Sequence, residues 1–285
     1  MSDPGLLSTA SLIAIAAILL IGVPHGGLDG AVARRVGWPN GILPWILFNL
    51  AYLLLATSVA VLWWLYPLPS LIFFLLISAL HFGSSDIGHI NPPFLRDSWL
   101  PLLAHGGLVV IAIPVFQSTA VEPLFTVLVG ADNSLWLLQH IERLLLPWIG
   151  CLFIYTIYSV YQPRWRTALL NLALLILLAY VLPPLVSFAV YFCLWHSRRH
   201  MQRIWQSIAA DQRRRSAIEA FIYSLLAYLA AGIYFLIQTD TASASASTIT
   251  PALVQLTFIG LAALTVPHML LVDFIHGQRE QQQHD

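Results

Sequence analysis

The sequence predicts an all-α protein, a polytopic bundle of transmembrane helices. Of its 285 residues, 59% are hydrophobic and only 9% are charged, whereas soluble domains carry roughly 25% charged residues. Apolar runs recur along the whole length, and many are long enough for a helix to cross a bilayer. We therefore expect a single transmembrane domain over residues 1–285, with the lipid bilayer as its surroundings.

Nine apolar runs are candidate spans, although the third and seventh are short, which leaves a count between seven and nine open. Pro183 and Pro184 separate the sixth run from the seventh, where a tight turn is expected. Pro123 and Gly130 predict a broken, interfacial segment over 118–143. The nine runs are 6–23, 41–64, 68–83, 99–117, 144–161, 167–182, 184–197, 217–237 and 251–274.

Arginine is distributed unevenly between the two sides of such a bundle. With nine spans, 12 of the 13 arginines fall in the loops and the tail that follow odd-numbered spans, and only Arg143 lies on the other side. Cytoplasmic loops of membrane proteins are enriched in Lys and Arg. The pattern therefore predicts a cytoplasmic C-terminus and an N-terminus outside.

The basic residues also exclude some functions. The chain contains no lysine, and a retinal-binding photoreceptor needs a lysine amine to hold its chromophore as a Schiff base. No GxxxxGK[ST] loop is present, and the formal net charge of zero gives no sign of a nucleic-acid partner. We expect neither a nucleic acid nor a nucleotide cofactor.

His196 and His200 form an H-x-x-x-H pair at the end of the seventh run. On a helix, residues four apart project from one face, one turn above the other. Two imidazoles at that spacing suit iron, zinc, copper or nickel. The alternative is a pair of interfacial histidines solvated beside the neighbouring arginines.

Further histidines fall at the same predicted depth. His25, His81 and His268 lie near the cytoplasmic ends of the first, third and ninth runs, and His105 lies early in the fourth. Ionisable groups within spans usually face the interior of the bundle and mark a functional site. The pattern predicts a metal site on the cytoplasmic side, with a water-filled vestibule of hydrogen-bonded histidines as the alternative.

Three aspartates follow three of these histidines by four or five residues: Asp29, Asp86 and Asp273. A metal-ligating histidine normally donates its other N–H to a carboxylate or a carbonyl, which fixes the tautomer and the orientation of the ring. We expect these aspartates to be such partners. The alternative is that they cap helix ends or pair with loop arginines such as Arg34 and Arg35.

Aromatic side chains surround the predicted site, and four of them are candidates for an apolar substrate pocket: Phe82, Tyr191, Phe192 and Trp195. Anchoring at the membrane interface, where Trp and Tyr are enriched, is the alternative for such residues.

Four motifs, PHGGLDG, HFGSSD, WHSRRH and PHMLLVD, occur in this order between residues 24 and 273. Together they resemble the Brp/Blh family of bacterial and archaeal membrane proteins, which have β-carotene 15,15′-dioxygenase activity. The resemblance implies a multi-pass protein of the inner (plasma) membrane that cleaves the central double bond of a lipophilic carotenoid with O₂, yielding two retinal.

The resemblance also implies a cofactor and its ligands. Non-haem Fe(II) is expected on His25, His81, His196 and His200, and His268 matches a family motif as an additional pocket residue or ligand. Two other functions stay open: another membrane non-haem metal oxygenase or hydroxylase, and a non-catalytic membrane protein that binds haem or metal. Di-iron membrane enzymes use several clustered histidine boxes, whereas this chain has a single H-x-x-x-H.

Overall fold

The computed structural model describes residues 8–88, 90, 97–239 and 246–276, and within these ranges it leaves out the side chains of His25, of residues 246–248 and of residues 274–276. Over the described ranges the chain is helical and contains no strand. The prediction of an all-α fold is confirmed.

The α-helices are α1 Thr9–Ala17, α2 Asp29–Arg35, α3 Ile42–Leu65, α4 Pro67–Ile87, α5 Trp99–Gly107, α6 Ile113–Phe116, α7 Ser118–Val129, α8 Ala131–Arg143, α9 Leu145–Tyr161, α10 Arg166–Val181, α11 Pro184–Ala189, α12 Arg198–Ser207, α13 Arg213–Gln238 and α14 Ala246–Met269. Short 3₁₀ turns occupy Val23–Leu28, Pro163–Trp165 and Ala210–Gln212, and π-helical stretches occupy Ile18–Gly22, Leu108–Ala112, Val190–Ser197 and Leu270–His276.

Several of these elements join end to end, and within the described ranges eight of the resulting helices are long and apolar enough to cross a membrane. The number lies within the predicted range of seven to nine, and the chain is a multi-pass membrane protein. The eight helices are Thr9–Arg35, Ile42–Leu65, Pro67–Ile87, Trp99–Phe116, Ala131–Tyr161, Pro163–Val181, Ala210–Gln238 and Ile249–Asp273.

The seventh predicted span is helical but is not one of these eight. Residues 184–207 form α11, a π-helical stretch and α12 without interruption. Only the first half is apolar, because α12 carries Arg198, Arg199 and Arg203. The positions of the two termini relative to the membrane therefore stay a prediction.

The predicted break at Pro123 is wrong, whereas the break at Gly130 is confirmed. Pro123 lies inside α7, where its missing N–H removes one hydrogen bond without ending the helix. Gly130 separates α7 from α8 with φ +86°, a conformation that residues with a Cβ rarely adopt. The following span then begins at Ala131, earlier than residue 144.

The chain forms two compact units, one from residues 1–70 and 192–285 and the other from residues 71–191. In the first unit α14 packs against α3, and α13 packs against the 3₁₀ turn Val23–Leu28. A Cβ at Gly27 would press on the backbone of Ala220 in α13. A small residue is needed there because the two backbones approach so closely.

The second unit depends on a close crossing of α4 and α5. A Cβ at Gly83 would overlap the carbonyl oxygen of Leu102, and a Cβ at Gly106 would overlap that of Ala79. The next glycine, Gly107, faces the indole of Trp148, whose Nε1 donates to the Ala104 carbonyl oxygen at 3.0 Å. The glycines of the HFG and HGG motifs thus allow contact between helices.

Replacing Gly106 with alanine should destabilise the protein by about 1–3 kcal/mol, because the new methyl group has no space against the backbone of α4. The thermal unfolding midpoint of the detergent-purified protein measures the effect. Gly150→Ala is the matched control, since nothing lies within 4 Å of a Cβ at Gly150. An unchanged midpoint for Gly106→Ala would contradict the close crossing.

Candidate functional site

π-Helical geometry adjoins or contains most of the predicted histidine motifs. Such wide turns are rare in proteins and occur frequently at functional sites. In the part of the chain that the structure describes, one stretch leads into the turn that holds His25, one follows His105, one contains His196 and one follows His268. His81 differs, because it lies in the regular helix α4.

His196 and His200 face the same side of their helix, as the H-x-x-x-H spacing predicts. Their rings are nearly parallel, with centroids 6.1 Å apart and an angle of 12° between the planes. The Phe192 ring continues the stack, and its centroid lies 6.0 Å from that of the His196 ring. Phe192 also fills the space beside Gly22, where a Cβ would overlap its ring. Both histidines are buried.

His268 is held by a carboxylate from the other end of the chain. Its Nδ1 lies 2.7 Å from Asp29 Oδ1, and both side chains are buried. Because a carboxylate offers only acceptors, Nδ1 carries the proton and the lone pair belongs to Nε2. The ring of His268 stands edge-on to that of His200, with centroids 5.0 Å apart.

Tyr52 completes this network. Its hydroxyl donates to Asp29 Oδ2 at 3.0 Å and also lies 3.3 Å from the Leu264 carbonyl oxygen of α14. Each oxygen of the Asp29 carboxylate therefore has a hydrogen-bond donor. The sequence analysis missed Tyr52, since nothing in the apolar run of α3 indicates which residue faces the carboxylate.

Asp29 contacts a histidine that is distant in the sequence, and its role as the partner of a metal ligand stays a prediction. Asp29 binds His268, 239 residues away; the side chain of His25 lies outside the described residues. The alternative of an Arg34 partner does not hold, because the Arg34 guanidinium binds Glu219 at 2.6 Å and Ser216 at 3.0 Å. Asp273 lies half-buried in the π-helical stretch after His268, and its partner role stays a prediction.

The second unit contains a similar network. Asp86 Oδ2 lies 3.3 Å from His105 Nδ1 and accepts a hydrogen bond from the Tyr191 hydroxyl at 3.1 Å. His81 is buried on the same helix as Asp86. The sequence analysis gave His105 no role; the close crossing at its neighbour Gly106 explains how its ring reaches Asp86.

The predicted pocket aromatics have different surroundings. Phe82 stands edge-on to Tyr191 at 5.3 Å and to Phe188 at 6.4 Å, and Phe188 was not predicted. Trp195 is half-buried, and the Arg199 guanidinium lies 3.6 Å above its ring. Such a cation–π contact also suits an anchor at the membrane interface, so the pocket role of Trp195 stays a prediction.

The chemistry of the donor set fits a non-haem metal, although no complete site is described. Among the described side chains, which exclude that of His25, no three of His, Cys, Asp and Glu are arranged to hold one ion. Buried neutral imidazoles are suitable ligands for iron. The Asp29 carboxylate, which accepts a hydrogen bond from His268 Nδ1, is the kind of partner that a metal-ligating histidine normally has.

Replacing Tyr191 with phenylalanine should destabilise the protein by about 1.5–3 kcal/mol, because the Asp86 carboxylate loses a donor. Thermal unfolding in detergent measures this change. Tyr155→Phe is the control in the same unit: its hydroxyl is buried without a hydrogen-bond partner among the described residues, so its loss should be neutral or stabilising. Equal effects of the two substitutions would contradict the network.

Comparison with known proteins identifies the family. Residues 16–276 match the family described as beta-carotene 15,15′-dioxygenase. A protein of that name from the uncultured marine bacterium 66A03 is 38% identical over 272 residues, which cover 92% of each chain. A probable beta-carotene 15,15′-dioxygenase Blh from Halobacterium salinarum is 27% identical over 219 residues, 69% of this chain and 61% of that protein. No solved structure matches. The chain belongs to the beta-carotene 15,15′-dioxygenase family.

Proposed function

We propose that this chain, a carotenoid-cleaving dioxygenase, cleaves the central 15,15′ double bond of β-carotene with O₂ to give two retinal. The observation that carries the proposal is the relative named beta-carotene 15,15′-dioxygenase, which is 38% identical over 92% of the chain. The stoichiometry is complete as written, because one C=C bond and one O₂ become two C=O groups. No separate reductant or nucleotide cofactor is required.

The proposed cofactor is Fe(II), held by His25, His81, His196 and His200. Four imidazoles form a neutral ligand set, which suits iron, and the buried, stacked pair His196–His200 supports it. His268 is the proposed additional ligand or pocket residue. Asp29, Asp86 and Asp273 are the proposed carboxylate partners of the histidines, and the Asp29–His268 hydrogen bond supports this role.

When bound, the iron supplies the redox chemistry that activates O₂ beside the double bond. The protein then has to position the substrate, which has no polar group for a hydrogen bond. Orientation comes from a long apolar pocket that sets the middle of the polyene against the metal. We propose Phe82, Tyr191, Phe192 and Trp195 as its walls, and entry of β-carotene from the lipid.

The proposed location is the inner (plasma) membrane of a bacterial or archaeal cell, with the arginine-rich loops and the C-terminus in the cytoplasm and the N-terminus outside. Termini on opposite sides require an odd number of crossings, so this orientation includes the proposal that residues 184–197 cross the membrane in addition to the eight helices. The relatives come from a marine bacterium and from Halobacterium salinarum, and the bias of arginine towards one side supports the orientation. The absence of lysine means that the aldehyde product cannot be retained as a lysine Schiff base.

Expression of the chain in bacteria that produce β-carotene should bleach the cells and accumulate retinal. Extraction and chromatography of the carotenoids, with retinal quantified against the β-carotene consumed, check both the reaction and its position. Two retinal per β-carotene indicate central cleavage, whereas unequal fragments indicate another bond. Unchanged β-carotene beside folded, iron-loaded protein would contradict the proposed function and favour a metal carrier.

Replacing His196 or His200 with alanine should remove the bound iron and the retinal product while the helices stay folded. The loss should exceed the roughly 10- to 100-fold effect typical of changing a partner of a ligand, and iron analysis of the purified protein measures it. His140→Ala is the matched control, because His140 lies against Trp136 and its Nδ1 bonds the Trp136 carbonyl oxygen. Full iron content in both site variants would remove them from the ligand set.

A further inference from the structure

We propose that Tyr52 is a positioning residue of the metal centre, which acts through Asp29 on His268. The inference rests on the proposed function, because it assumes that the histidines hold a metal ion. It assigns a role to a side chain in the middle of an apolar span, where no histidine motif occurs. The path consists of the hydrogen bonds from Tyr52 and from His268 to Asp29, and of the contact between the His268 and His200 rings.

The first step is the contact between Tyr52 and Asp29. The hydroxyl has one proton, and two acceptors lie within reach: Asp29 Oδ2 at 3.0 Å and the Leu264 carbonyl oxygen at 3.3 Å. Hydrogen bonds to a charged acceptor are shorter and stronger than those to a neutral one. The Tyr52 hydroxyl therefore donates its hydrogen bond mainly to the Asp29 carboxylate, and the Leu264 carbonyl oxygen is the weaker acceptor.

The second step is the orientation of the Asp29 carboxylate. Only 2% of this residue is exposed, and its two oxygens are held from different helices, by Tyr52 of α3 and by His268 of α14. A carboxylate with a donor on each oxygen has its plane fixed. Without the hydroxyl, Oδ2 loses a donor, and the group is free to turn about its Cβ–Cγ bond.

The third step is the imidazole of His268. The 2.7 Å hydrogen bond from Nδ1 fixes both its tautomer and its plane, as second-shell carboxylates do for ligating histidines. Its centroid lies 5.0 Å from that of His200, at an interplanar angle of 68°. Two imidazoles that share one ion, each with a metal–nitrogen bond of about 2.1 Å, have centroids roughly 5 Å apart. His268 therefore stands at the distance of a second ligand beside His200.

A purely structural role for Tyr52 makes a different prediction. If the hydroxyl only joined α3 to α14, its loss would lower the stability of the protein and leave the metal affinity unchanged. Tyr52→Phe keeps the aromatic ring, whose centroid lies 6.1 Å from that of the Phe48 ring, and removes only the hydroxyl oxygen. The variant therefore separates the two roles.

The test is a titration of the purified, chelator-stripped protein with Co(II) in lipid nanodiscs, followed by the visible absorption of the bound ion. Tyr52→Phe should weaken Co(II) binding about tenfold and alter the absorption bands, within the range typical of outer partners of a metal ligand. Asp29→Asn should weaken binding further, and it provides the same readouts if Tyr52→Phe does not fold. Tyr234→Phe is the control, because it removes a hydroxyl that bonds the Gln255 side chain of the same unit.

A double variant tests whether Tyr52 acts on the metal centre through His268. In the His268→Ala background, Tyr52→Phe should have no additional effect on Co(II) affinity, since residues in one network are not additive. Unchanged affinity and absorption in Tyr52→Phe, with the wild-type protein binding Co(II), would overturn this inference alone. A wild-type protein that binds neither Co(II) nor iron would overturn the proposed iron site and this inference with it.

Discussion

The buried carboxylate of Asp29 is the constraint on which the first unit depends. A charged group away from water is tolerated only when hydrogen-bond partners replace its hydration. The partners of Asp29 lie on the second and the last of the candidate spans, so segments distant in the sequence have to meet before the charge is satisfied. The same rule applies to Asp86 in the second unit, where His105 and Tyr191 are the partners. The described residues of each unit thus include a network of a histidine, an aspartate and a tyrosine.

Close packing of helices makes the second of these networks possible. A hydrogen bond between the short Asp side chain and an imidazole on a neighbouring helix is easier to form where the two backbones lie close together, and small residues permit such an approach. Gly83 lies three residues before Asp86, and Gly106 directly follows His105; each faces a backbone carbonyl of the other helix. Gly83 and Gly106 therefore allow the two helices to pack closely, and this packing brings Asp86 and His105 within reach of each other.

The sequence was sufficient for features that depend on local pattern and insufficient for those that depend on tertiary contact. Hydropathy identified the helical class and eight of the nine predicted spans, because the bilayer imposes a minimum apolar length. The predicted span 184–197 is not among the eight, because its helix continues into the arginine-rich α12. The sequence indicated the histidines as candidate site residues, because they interrupt apolar runs. It did not indicate which of them contacts Asp29. The spacing pointed to His25, whose side chain lies outside the described residues. The described partner is His268, and no local pattern encodes a contact across 239 residues.

The burial of the histidines bears on the choice between a metal site and a water-filled vestibule. A vestibule would leave imidazole edges accessible to water, yet His81, His196, His200 and His268 are 2%, 1%, 5% and 3% exposed. Imidazoles removed from water need hydrogen bonds, a metal ion or both to replace their hydration. The low exposure of these rings therefore favours the predicted metal site over the water-filled vestibule.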